Sequence, residues 1–298
     1  MALAMELTEY ISGERFQGLA DISVIPYGSA VGEKDCGFVI QQQTNNNYNT
    51  FYYDTNITEV PDYVQQARII FVNTWTFDKF FKYIFPLLTG KYVFISHNSD
   101  ISFDSRFESF LNDEKVIAWF SQNTELIHDK LFSLPIGIAN QQYEHGNLAL
   151  LKHIQTLDIK KENLVYKNFN IETNRDDRTR IDFITTSNGI RMHTGIQQIN
   201  YFENLTKNVY VISPPGNGPD CHRVWECLYL NTIPVVRYSN TFNQFKDLPI
   251  LFIDDWGTVT PSWLRAQYEF NGLPVPQKIV REKLSMSYWR DKINNFLQ

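Results

Sequence analysis

Ser213-Pro-Pro-Gly-Asn-Gly-Pro-Asp-Cys-His-Arg-Val-Trp-Glu-Cys-Leu-Tyr-Leu-Asn-Thr-Ile-Pro-Val-Val236 reads as a turn, a helix and a strand. A short apolar run, Val209 to Ile212, supplies the strand that enters it, and Ile233 to Val236 the strand that leaves. Ser213, Gly216, Asn217 and Gly218 form the turn. Gly218 suits the N-cap, and Pro219 suits the first helical position, where a missing N–H costs nothing. The helix is expected over Pro219 to Leu230, with Cys221, Val224, Trp225 and Leu228 as its buried stripe. His222, Arg223 and Glu226 then crowd one polar flank. A helix start behind a glycine turn favours anions, because its first N–H groups lack partners and the macrodipole is positive there. Such a turn is also a common structural device. The His-Arg pair in the first turn moves the reading toward a phosphate site. Asp220 reads as a first-turn partner of the dipole.

The same strand-turn-helix alternation extends on both sides. Upstream, strands are expected at Arg68 to Val72, Tyr92 to Ser96 and Val116 to Phe120, and Leu131 to Pro135 leads into Ile136-Gly-Ile-Ala-Asn140. Asp78 to Leu88 and Leu148 to Leu157 read as helices. Lys160-Lys-Glu-Asn163 is a polar break, taken as a domain boundary. The alternation restarts with strand Leu164 to Phe169, helix Arg175 to Phe183, strand Ile250 to Ile253 and helix Pro261 to Phe270. The tail, Gln277 to Leu297, is expected to be mostly helical. Gln41 to Thr50 reads as an exposed loop on composition. The class is α/β, two consecutive units of parallel sheet with helices on both faces, and the cleft between lobes is the default ligand site.

Composition narrows the function. The 298 residues are 43% apolar, 15% aromatic and 20% charged, normal for a soluble chain with sizeable cores. A net charge of −6 argues against nucleic acid as a partner. The three cysteines show no metal-type spacing, which suits a reducing, cytoplasmic location without a metal site. No window reads as a signal peptide or a membrane span. There is no Gly-x-Gly-x-x-Gly after the first strand, no Gly-Lys-Ser/Thr loop and no Gly-x-Ser-x-Gly elbow.

Other candidate residues follow strand ends. Arg178, one turn into its helix, could clamp a diphosphate through its bidentate fork, whereas Arg175 and Arg180 read as a solvated face. Glu226 beside a phosphate site has two readings, acceptance from a ribose diol or an internal salt bridge to Arg223. Ser96-His-Asn-Ser-Asp100 follows a strand directly, so His97 and Asp100 could serve as base and orienter. Capping explains Ser96 and Asp100 equally well. His145-Gly-Asn147 is a further polar cluster, and Asp254-Asp255 reads as a cap.

Ser213 to Val236 resembles the donor-site motif of exostosin-like glycosyltransferases, in which a Ser-Pro-x-Gly turn precedes an Arg, a Glu-Ala-Leu-like helix and an Ile-Pro-Val strand. Cys227 and Asn231 stand where that pattern often has Ala and Gly. The resemblance implies a GT-B fold of two facing Rossmann-like lobes. Residues 1–160 would bind a glycan acceptor and 161–275 a UDP- or GDP-linked sugar, with 276–298 a helix crossing back to the first lobe. It implies inverting, metal-independent transfer without a resident cofactor, Arg223 meeting the diphosphate and Glu226 the ribose. The alternative is a catalytically inactive nucleotide- or glycan-binding module on the same fold.

Overall fold

The computed structural model describes residues 5–27, 37–44, 47–53, 57–271 and 282–298. The Gly-rich segment with Glu33, Lys34 and Asp35 lies outside them, as do Cys36 and the start of the expected C-terminal helix. By contacts the chain forms two units, Gly13–Leu134 with Trp289–Gln298, and Met1–Ser12 with Pro135–Tyr288. That division falls at residue 134 rather than at the polar break near 160.

The first unit holds a seven-stranded sheet: β1 (Ile22–Tyr27), β2 (Gly37–Gln43), β3 (Tyr48–Tyr53), β4 (Ile69–Asn73), β5 (Tyr92–His97), β6 (Val116–Gln122) and β7 (Leu131–Leu134). Their order is β3-β2-β1-β4-β5-β6-β7. Strands β1 and β4 to β7 run parallel, while β2 and β3 add an antiparallel edge. Every residue of β4 and β5 is buried, as central parallel strands require when both faces are covered. Four short helices accompany the sheet: α1 (Gly13–Gln17), α2 (Asp62–Gln65), α3 (Phe77–Lys79) and α4 (Glu108–Leu111). One face of the sheet is filled by rings. Trp119 stacks on Phe94 with centroids 4.4 Å apart, and Phe81 stacks on Phe110 at 4.2 Å. Such pairs add about 0.5–1.5 kcal/mol each beyond the area they bury. The C-terminal residues join this unit through Phe296, whose ring meets Phe120 at 5.7 Å and Phe132 at 5.1 Å.

Two expectations fail here. Gln41 to Thr50 is not one exposed loop, because its ends, Gln41–Gln43 and Tyr48–Thr50, are paired in register within β2 and β3. Its composition is polar because β3 is a sheet edge, and edges tolerate Gln, Asn and Thr where central strands do not. The aromatic helix expected over Asp78 to Leu88 is broken into α3, a π-turn at Phe80–Ile84 and a 3-10 turn at Phe85–Leu87. Pro86 cannot donate to a continuing ladder, which ends the α geometry before it.

The second unit holds a four-stranded parallel sheet: β8 (Asn163–Lys167), β9 (Asn208–Ile212), β10 (Ile233–Arg237) and β11 (Leu251–Ile253), in the order β11-β10-β9-β8. Among the described residues its helices are α5 (Leu148–Thr156), α6 (Arg175–Ser187), α7 (Gln198–Lys207), α8 (His222–Tyr229) and α9 (Pro261–Asn271); α10 (Met286–Asn294) begins in this unit and from Trp289 on belongs to the first. The sequence gives no expectation of α7. Its buried residues, Phe202 and Leu205, are three apart, but they sit among Asn, Gln and Lys that dilute the period. Lys167 at the end of β8 is fully buried and fixes α6 against the sheet. Its Nζ lies 2.9 Å from Asp182 Oδ1 and donates to the Thr185 and Thr186 hydroxyls at 3.0 and 2.7 Å. Asp255 is the cap expected of it, accepting from the Gly257 N–H at 3.0 Å.

Candidate functional site

Helix α8 is anchored along most of its length. Val224, Trp225, Cys227, Leu228 and Tyr229 are all buried. At its C-terminal end the Tyr229 hydroxyl receives the Ile11 N–H at 2.9 Å and donates to the Leu284 carbonyl at 2.7 Å. The chain segments on both sides of the unit are thereby tied to one side chain.

The N-terminal end differs from the sequence expectation. Helix α8 begins at His222 with Cys221 in the N-cap position, not at Pro219 behind Gly218. The Gly218 carbonyl closes the turn instead, accepting from Gly216 N at 3.0 Å. Asp220 is the cause of the late start. It is 3% exposed, and its carboxylate receives the Trp225 indole N–H at 2.8 and 3.0 Å, Cys221 N at 2.8 Å and Ile136 N at 2.8 Å. Asp220 is therefore no dipole partner on the helix surface but a buried junction. Burial raises its pKa from 3.8 to about 7, against the opposing pull of these N–H donors.

The junction docks a loop, Pro135 to Asn147, beside α8. Gly137 adopts φ +69°, and a Cβ there would stand 2.3 Å from the Ile11 carbonyl oxygen. His222 Nδ1 donates to the Gly137 carbonyl at 2.8 Å, since a carbonyl can only accept. That bond fixes the ring orientation. His145, stacked on Tyr143, has its ring centroid 6.0 Å from that of His222. Asn147 caps α5 by accepting from Leu150 N at 3.0 Å. The sequence shows the polarity of this loop but not that it meets α8.

Arg178 braces the turn from α6. It is 4% exposed, and Nε donates to the Pro215 carbonyl at 2.8 Å while Nη1 donates to the Asn170 carbonyl at 2.6 Å. Asn174 holds the Gly216 carbonyl at 2.8 Å. Ser213 is buried and Asn217 exposed. Burial first, and then the positive charge of Arg223, push the Arg178 pKa below its ordinary value. Two guanidinium groups thus feel each other across the turn. Arg175 and Arg180 stay on the outer surface, Arg175 paired with Glu172.

Arg223 is half-buried, and its Nε is closed off from solvent without a hydrogen-bond acceptor. Among the described residues it makes no hydrogen bond and no ion pair. The salt bridge to Glu226 that the sequence allows is not formed. Glu226, 5% exposed, instead accepts from the Tyr201 hydroxyl through Oε2 at 2.7 Å. Burial raises its pKa, opposed by that hydrogen bond and by the charge of Arg223. Tyr201 comes from α7, so no local sequence pattern could have named it.

His97 and Asp100 belong to the other unit. His97 ends β5 with 2% exposure, its ring 5.5 Å from Phe16. Its Nδ1 accepts from the Asn98 N–H at 2.8 Å, which places the ring proton of the neutral form on Nε2. Asn98 itself has φ +69°, a conformation that Asn adopts more readily than most residues. Asp100 is exposed.

No family model and no curated protein matches the chain. No helix among the described residues is long and apolar enough to cross a membrane.

Proposed function

We propose that the chain is a glycosyltransferase of the exostosin-like type, its two α/β units being the lobes of a GT-B fold. In this reading a UDP- or GDP-linked sugar binds at the start of α8, and its sugar passes to a hydroxyl of a glycan. The observation that carries the reading is Arg223, a half-buried cation with no acceptor among the described residues, set beside the carboxylate-free Arg178. An arginine in such surroundings makes no direct pair with a carboxylate, although the charge of nearby Glu226 favours its charged form. A diphosphate supplies a direct partner, in the geometry a guanidinium fork prefers. His222, held by Gly137, adds a third nitrogen donor or acceptor at the same helix end.

Departure of the nucleoside diphosphate builds negative charge on its leaving oxygen. Fixed cations there favour the transition state over the ground state. Acceptor activation is assigned to His97 or Asp100. Using His97 Nε2 as the base requires the other tautomer, which breaks the Asn98 hydrogen bond, so Asp100 is the preferred candidate of the two. The same hydrogen bond favours the second reading, a nucleotide-binding module without transfer activity.

Calorimetry with UDP and GDP, paired with a transfer assay over a nucleotide-sugar panel, separates the readings. Arg223→Ala is expected to weaken nucleotide binding by about tenfold to a hundredfold, the scale of one or two charge-assisted hydrogen bonds. Unchanged affinity would remove Arg223 from the site. Binding without turnover, unaltered by Asp100→Ala, selects the inactive module.

A further inference from the structure

The Glu226 carboxylate is hydrogen-bonded by Tyr201 and not by Arg223, although the two charges lie near enough to feel each other. Arg223 and Glu226 are three residues apart on α8, a spacing at which opposite charges pair along a helix. They make no such pair. The Tyr201 hydroxyl takes Oε2 at 2.7 Å, and Arg223 is left without an acceptor among the described residues. Tyr201 is well fixed for this task. Its neighbours Phe202 and Leu205 are buried and seat α7, while Gln198, at the start of the same helix, donates to the His145 carbonyl at 2.8 Å.

We infer that Tyr201 is a positioning residue: its hydroxyl latches Glu226, keeps the Arg223 guanidinium open for a phosphate group, and leaves Glu226 Oε1 for a hydroxyl of the same ligand. Oε1 makes no hydrogen bond among the described residues, which fits an acceptor reserved for a diol. The inference rests on the reading of α8 as a diphosphate site and names what keeps that site from closing on itself. Without the latch, Glu226 swings to Arg223 and competes with the ligand.

Inorganic pyrophosphate is the probe, because it reports on Arg223 without a ribose. Binding is measured by calorimetry for the wild type, Tyr201→Phe, Glu226→Gln and the double variant Tyr201→Phe/Glu226→Gln. Tyr201→Phe removes one oxygen and is expected to weaken pyrophosphate about tenfold, the scale of one charge-assisted hydrogen bond. The double variant is expected to recover wild-type affinity, since a neutral amide cannot quench Arg223. Wild-type affinity in Tyr201→Phe would overturn the latch. So would a loss that Glu226→Gln does not rescue, because that pattern marks a packing defect. In both cases the diphosphate reading survives if binding still depends on Arg223. A wild type that binds neither pyrophosphate nor UDP or GDP overturns both.

Discussion

Replacing Asp220 by asparagine sets burial against hydrogen bonding at one atom group. Two backbone N–H groups and an indole N–H converge on the two carboxylate oxygens, with Ile136 N on Oδ2 and Cys221 N on Oδ1. An isosteric carboxamide offers one oxygen only. Whichever way it faces, one of the two backbone N–H groups meets an NH2, and an unsatisfied buried donor costs about 1–3 kcal/mol. The wild-type carboxylate carries a cost of its own, which depends on pH. Its folded pKa of about 7 stands above the ordinary 3.8, so the folded protein retains the proton across that window. The stabilisation from this group is therefore fully present below pH 3.8 and is lost as pH rises toward 7. At about 1.36 kcal/mol per unit the whole loss approaches about 4 kcal/mol, and about 3 kcal/mol of it falls above pH 5. Asparagine has no proton to lose. The variant should be clearly less stable than the wild type at pH 5, and the gap should narrow or invert by pH 8. Calorimetric melting at the two values measures the gap, and amide exchange at Ile136 and Cys221 localises the orphaned donor. A gap that widens with pH would mean the N–H donors outweigh burial and hold the Asp220 pKa below 3.8.

Arg178→Lys keeps the charge but not the fork that reaches the Pro215 and Asn170 carbonyls. It should lower the melting temperature and weaken nucleotide binding together, at about 2 kcal/mol of stability for a buried charged donor lost. Arg223→Ala, which removes no intramolecular hydrogen bond, should spare the melting temperature, so the pair of melts distinguishes brace from ligand. Gly137→Ala places a Cβ 2.3 Å from the Ile11 carbonyl at φ +69°, a double penalty of about 2–4 kcal/mol. Its loop should become protease-sensitive, and an unchanged digestion pattern would show that the Ile11 segment yields instead.

The elements legible in the sequence are those whose periodicity is apolar and local. Strands β4, β5 and β6 are runs of Ile, Val and Phe, and α8 carries its Val224-Trp225-Leu228 stripe, so burial alone marks them. The Gln41–Gln43 end of β2 and the edge strand β3 are rich in Gln, Asn, Thr and Tyr, where polarity disguises a pleat as a loop. Helix α7 is hidden for the same reason. The break in the Phe77–Leu87 segment is marked in the sequence only by Pro86, and the π-turn before it has no sequence signal of its own.

At the site the division is between charge and arrangement. The residues that bear charge near α8, Arg178, His222, Arg223 and Glu226, stand out in the sequence because strand ends and a helix start concentrate them. What each does is set by partners far along the chain: Arg178 by Pro215, His222 by Gly137, Asp220 by Ile136 and Glu226 by Tyr201. Helical spacing alone would have paired Arg223 with Glu226 and left a neutral flank. Instead the hydroxyl from α7 bonds Glu226, and Arg223 makes no ion pair among the described residues. On the proposed reading, the Ser213 to Val236 stretch specifies the charges of an anion site. The partners of Arg178, Glu226 and His222 each come from another part of the chain, from the Pro215 carbonyl, α7 and the Pro135 to Asn147 loop.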